Sequence, residues 1–112
     1  MNLPALNTLL EAEISNDLYA KLITQLDKDF KLTGINYDFE NLTPSELLVC
    51  LLEVVEHLIQ NEYAVFLNLL YRIDIPENQV EPTDKLTLEE NVVFLILKRQ
   101  WLKIQLKLKY SS

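Results

Sequence analysis

A single glycine, Gly34, serves a chain of 112 residues. Small sandwiches and barrels need glycine at their many tight turns, so this scarcity points away from a turn-rich β fold and toward helices. It also excludes glycine-rich phosphate loops, which bring several backbone amides against an anion. The one cysteine, Cys50, cannot close an internal disulfide, and small secreted domains carry an even set, so a reducing, cytoplasmic setting is expected. The one histidine, His57, would have to serve every nucleophile–base scheme at once, and no catalytic constellation can be assembled around it. The longest uncharged apolar runs, Leu47–Leu52 and Val92–Leu97, are six residues each, far below the roughly 18 that span a bilayer, so membrane insertion is not expected. No basic residue precedes Lys21, which leaves the start without the charged region of a secretory signal or the arginines of a transit peptide.

Positive charge is also scarce over most of the chain. Acidic residues number 17 against 10 basic ones, a net charge of −7. All 17 acids lie in residues 1–97 beside only five basic residues, Lys21, Lys28, Lys31, Arg72 and Lys85, so that stretch carries −12. The other five, Lys98, Arg99, Lys103, Lys107 and Lys109, fall in the last 15 residues. Nucleic acid is a poor direct partner for such a body, because phosphate neutralisation needs a basic face. The basic end either balances the acidic helices within the domain or docks on something outside it.

What is abundant is apolar material: 49% of the residues are hydrophobic, enough for a chain of this length to bury about two thirds of the surface its unfolded form exposes. One domain covering residues 1–112 is expected, built as an all-α bundle of four to five helices around one core. Asn2-Leu3-Pro4 resembles a cap with an early proline, and Leu6, Leu9 and Leu10 follow at helical spacing, suggesting a short helix near 4–13. Ser15 or Asn16 can cap a second helix whose Leu18, Leu22, Leu26 and Phe30 share one face, ended by Gly34. Thr43-Pro44-Ser45-Glu46 is a capping box with proline at the first helical position. It opens a helix over 44–59 with an apolar face of leucines and valines, opposite a polar face of Glu46, Glu53, Glu56, His57 and Gln60. A break is placed at Gln60-Asn61-Glu62 with Asn61 as cap, although no glycine or proline forces it, and a helix over 62–74 follows, apolar on every side and ended by Pro76. Residues 77–85 read as a surface loop.

Thr87-Leu88-Glu89-Glu90 repeats the capping box and starts the last helix. Its wheel has two apolar sides: Val93, Leu97, Trp101, Ile104 and Leu108 on one, Leu88, Val92, Leu95, Leu102, Leu106 and Tyr110 on the other, with Arg99 among the second set. Such a helix lies between two layers, or buries one side and offers the other to a partner. Residues 102–110 also alternate apolar and polar as a half-buried strand would, but leucine and lysine favour helix, and the chain offers no strand to pair with them.

Few residues suggest chemistry. Glu53 and His57 lie one turn apart, yet a bundle metal site needs inward-facing ligands from several helices, so neither a metal nor another cofactor is expected. Cys50 sits at the edge of an apolar arc with no cation near in sequence, and reads as a small core residue. Arg72 and Arg99 stand among apolar residues, where guanidinium groups demand acidic partners. Asp74 or another carboxylate pairing with either arginine would lock two helices together, and an anion held by both is the functional alternative. Tyr63, Tyr71 and Trp101 have rings suited to interfaces. The expected interaction surface is therefore Trp101, Arg99, Lys103, Lys107 and Leu106 of the last helix, with Tyr71. Together these readings favour a non-enzymatic module that binds a protein partner or a second copy of itself. Two alternatives are an acidic inhibitor or immunity-type protein masking a basic enzyme site, and a binder of a small apolar or anionic ligand using Arg72 or Arg99.

Overall fold

A computed structural model describes residues 16–110 of the chain. Four α-helices follow one another, α1 (Asn16–Leu32), α2 (Pro44–Asn61), α3 (Tyr63–Ile73) and α4 (Leu88–Tyr110), with a short 3-10 turn at Glu77–Gln79 between the last two. The described residues contain no strand, so the all-α bundle expected from the sequence is what forms, and residues 102–110 are helix. The expected helix near 4–13 lies outside the described residues.

Local signals set the helix ends. At the end of α1, Gly34 takes φ 85°, its N–H reaches Lys31 O at 3.0 Å, and the Ile35 N–H reaches back to Phe30 O at 2.9 Å. This pair of bonds satisfies carbonyls that the helix end would orphan, and only glycine enters the left-handed region without a Cβ penalty. At the start of α2 both arms of the capping box form: Thr43 Oγ1 accepts from Glu46 N, and Glu46 Oε1 accepts from Thr43 N. Hydrogen bonding from the Thr43 backbone N–H, and then from the Thr43 side chain, draws the Glu46 carboxyl below the ordinary glutamate range. The same reciprocal bonds join Thr87 and Glu90 at the start of α4.

Two boundaries differ in detail from the sequence reading. The α2–α3 break falls at Glu62, with φ −140° and ψ 59°, and Asn61 is the last residue of α2 rather than the cap of α3. The Asn61 amide instead bonds back to His57. Helix α3 ends at Ile73 before Pro76 can act, because Asp74 adopts φ 75°. There the Ile75 N–H reaches Leu70 O, the bond that Ile35 makes in α1. Asp and Asn are the non-glycine residues that tolerate this conformation best.

One buried cluster runs through all four helices. Leu22, Leu26 and Phe30 enter it from α1, Leu47, Leu51 and Val55 from α2, Phe66, Leu69 and Ile73 from α3, and Val92, Val93, Ile96 and Leu97 from α4. Each large side chain of this kind contributes about 1.5–3 kcal/mol by leaving water. Helix α4 packs against α1, α2 and α3, and α3 likewise packs against the other three helices. The link between α1 and α2 is held by Phe39, which is fully buried edge-on to Phe30 at 5.1 Å while its N–H donates to Asp27 Oδ1. Tyr19 Oη donates to Leu42 O at 2.6 Å, and burial followed by the charge of Glu46 pushes its hydroxyl up to about 12. The 77–85 loop is tied down by buried Asn91, whose amide donates to Gln79 O and Glu81 O. No helix among the described residues is long and apolar enough to cross a membrane.

Candidate interaction surface

Helix α4 changes character along its length. Up to Gln100 it is seated in the core, with Val92, Val93, Ile96 and Gln100 fully buried. Beyond Trp101, which packs half-buried against the core, only Ile104 is buried. Leu102, Leu106, Leu108 and Tyr110 are all exposed, Leu106 by 44%. Leu102, Leu106 and Tyr110 recur every fourth residue and form one stripe facing away from Ile104. No acid follows Glu90 in the chain, so Lys98, Arg99, Lys103, Lys107 and Lys109 flank these leucines without a carboxylate on the same stretch.

The seated half is anchored by a buried carboxylate. Asp29 is only 2% exposed and accepts hydrogen bonds from Gln100 Nε2 at 2.7 Å, Gln25 Nε2 at 3.1 Å and Arg72 Nε at 3.2 Å, with Lys103 Nζ at 3.9 Å. Burial pushes this carboxyl up, but the bonds from Gln100, Gln25 and Arg72, then the charge of Lys103, outweigh it and hold the group below the ordinary aspartate range. One side chain thereby joins α1, α3 and α4. The charge is stabilised because each oxygen has donors, which is the condition for a carboxylate in a core.

The residues singled out in the sequence fall in different places. Arg72 pairs with Asp29 and Arg99 pairs with Asp74 at 3.2 Å, so each guanidinium already meets a carboxylate of this chain, and each pair crosslinks two helices. Lys103 turns toward Asp29, and Lys107 donates to Gln25 Oε1 at 3.0 Å. Tyr71 is 88% exposed on α3 and lines the same hollow as Asp74, which places it beside the Arg99 pair. Leu106 is on the open stripe, whereas Trp101 stands on the side toward the core. Asp29 and Gln100, which seat the base of the candidate surface, are not among the residues singled out from the sequence. Both occupy core-facing positions: Asp29 lies seven residues after Leu22, about 20° away on a helical wheel, and Gln100 seven after Val93. Two polar residues inside two apolar arcs were the signal that they meet.

On α2, the polar face expected from the sequence is exposed along its length. Glu46, Glu53 and Glu56 point outward, and between them Val49, 47% exposed, helps line a shallow hollow with Ser45, Glu46, Cys50 and Glu53. Burial, and then the charge of Glu53, pushes the Cys50 thiol up, so it is protonated at neutral pH. His57 lies 3.3 Å from Glu62 on the surface. Asp27, Asp38 and Glu40 place carboxylate oxygens within 4.8 Å of one another, but Asp27 holds the Phe39 N–H of the α1–α2 link and Asp38 accepts the Glu40 N–H two residues on in a local turn. A groove between α1 and the end of α4 is lined by Lys21, Gln25, Lys28, Ile104, Lys107 and Leu108 among others.

No family model matches the chain, no curated protein matches its sequence, and no solved structure matches its fold.

Proposed function

We propose that this protein works by binding another protein chain through the outer half of α4, and not by catalysis. The observation that supports this reading is the open stripe of Leu102, Leu106 and Tyr110, flanked by lysines, on a helix whose other half is locked into the core. A helix end that exposes apolar residues at regular spacing loses solvation free energy unless something covers it, and helix-in-groove recognition uses this i, i+4 spacing. Arg99, one turn before Leu102 on the same helix, borders the stripe and is a residue type that concentrates binding energy.

The test is retention from source-cell extract by the tagged protein, comparing wild type with Leu102→Glu/Leu106→Glu. Both side chains are exposed, so the variant should keep its helical circular dichroism. The reading predicts a stoichiometric partner held by wild type and lost by the variant. Equal retention by both, or none by either at low and moderate salt, contradicts it.

The exposed row of Glu46, Glu53 and Glu56 favours a second reading, an acidic inhibitor of a basic enzyme. In that case Glu53→Lys, not the leucine changes, abolishes capture, and binding falls steeply with salt.

A further inference from the structure

We infer that the partner of the α4 stripe is the acidic face of α2 in a second copy of this chain. The inference rests on the reading of α4 as a docking helix and adds its occupant. The two surfaces complement each other in charge, shape and length. Lys98, Lys107 and Lys109 form no ion pair with the described residues, and neither do Glu53 and Glu56. Lys98 and Lys109 rest over the rings of Phe94 and Tyr110 at 5.8 and 5.7 Å, on the side of the helix that carries the open leucines. The α2 face offers an apolar hollow at Val49 and Cys50, set between Glu46 and Glu53, that a leucine can fill. At a rise of 1.5 Å per residue, the span from Lys98 to Lys109 is about 17 Å and that from Glu46 to Glu56 about 15 Å, so the two rows of charge run alongside each other.

Packing two α4 stripes against each other is disfavoured, because it sets lysines beside lysines with no acid beyond Glu90 on either helix. Docking α4 on α2 instead sets Lys98, Lys107 and Lys109, which have no ion pair among the described residues, beside Glu53 and Glu56. The contact joins two different patches of one molecule, so it closes as a two-fold dimer if each α4 reaches the other copy's α2, and runs head-to-tail into a ring or a longer chain if it does not.

Sedimentation velocity across a concentration series, at low and at high salt, tests this with three proteins: wild type, Glu53→Lys/Glu56→Lys, and Lys107→Glu/Lys109→Glu. All four positions are exposed, and circular dichroism checks that each variant folds. Wild type should assemble with concentration and dissociate in high salt. Each charge-reversed variant alone should lose association by at least about tenfold. An equimolar mixture of the two variants should associate again, since each then presents the charge that the other lacks. Wild type that stays monomeric throughout overturns the inference, as does association that the reversals leave unchanged or that mixing fails to restore. The docking reading of α4 is judged separately: a monomeric wild type that still captures a different protein through Leu102 and Leu106 removes the second copy and keeps the docking helix.

Discussion

The two halves of α4 are similarly rich in apolar residues and meet different fates. From Leu88 to Gln100 the helix carries Val92, Val93, Ile96 and Leu97 into contact with three other helices, while from Trp101 to Tyr110 its three leucines are exposed and only Ile104 is buried. Leucine content does not separate them. What separates them is the presence of packed neighbours, together with one buried carboxylate, Asp29, whose donor Gln100 and ion-pair partner Lys103 sit where the seated half gives way to the open one. Amphipathic spacing makes a side available for burial, and the rest of the fold decides whether it is used.

Removing a core side chain from the seated half should give the largest effect. Leu97→Ala is expected to lower stability by about 3 kcal/mol, and the thermal midpoint by roughly 15 °C, because a 2% exposed leucine leaves a cavity. Calorimetry or thermal circular dichroism checks this; a drop of less than about 1 kcal/mol would show that the seated half is looser than its burial implies. Asp29→Asn comes next, at roughly 2 kcal/mol near neutral pH, since it removes the charge that Arg72 and Lys103 face. Its pH dependence sharpens the point. The native carboxyl titrates below the ordinary value of 3.8, so its contribution is present in full above that value and is lost as pH falls through the lower native one. The gap between wild type and Asp29→Asn in denaturant titrations should therefore be constant near neutrality and shrink in acid. A gap that widens in acid would reverse the assigned direction.

Smaller changes reach the ends of the comparison. Thr87→Ala breaks the cap that starts the seated half and should cost about 1 kcal/mol in denaturant unfolding. Leu106→Ala in the open half should shift the stability of the dilute protein by less than about 0.5 kcal/mol. A larger loss would mean that Leu106 is covered within a single chain.

How legible this was from the sequence depended on how local each cause is. Thr43, Glu46, Thr87 and Glu90 act within four residues of one another, and both helix starts could be placed from them alone; so could the stop at Gly34. The stop at Asp74 was less visible, because an aspartate in the left-handed region is tolerated rather than required, and Pro76 two residues later was the louder signal. The break at Glu62 was located to within a residue, but its mechanism was not: Asn61 could cap a helix in principle, and here its amide is taken by His57 in the turn before. Of the candidate site, the second apolar side of α4 was readable as periodicity. That Val92 on that side would be buried and Leu106 open was not, since it depends on where α1, α2 and α3 run out. Arg72 and Arg99 could be assigned a need for carboxylates, and Asp74 was named. Asp29 is not legible in this way, because two of its three donors come from residues 72 and 100, a meeting that exists only once the bundle has formed.

Residue-resolved amide hydrogen exchange on wild type, at concentrations below and above assembly, tests the central claim most directly. The account predicts that protection rises on assembly along Leu102–Tyr110 and along the outer face of α2 around Val49–Glu56, while the seated half of α4 is strongly protected at both concentrations. Protection gained elsewhere, with the amides of Leu102–Tyr110 exchanging at the same rate throughout, would contradict it.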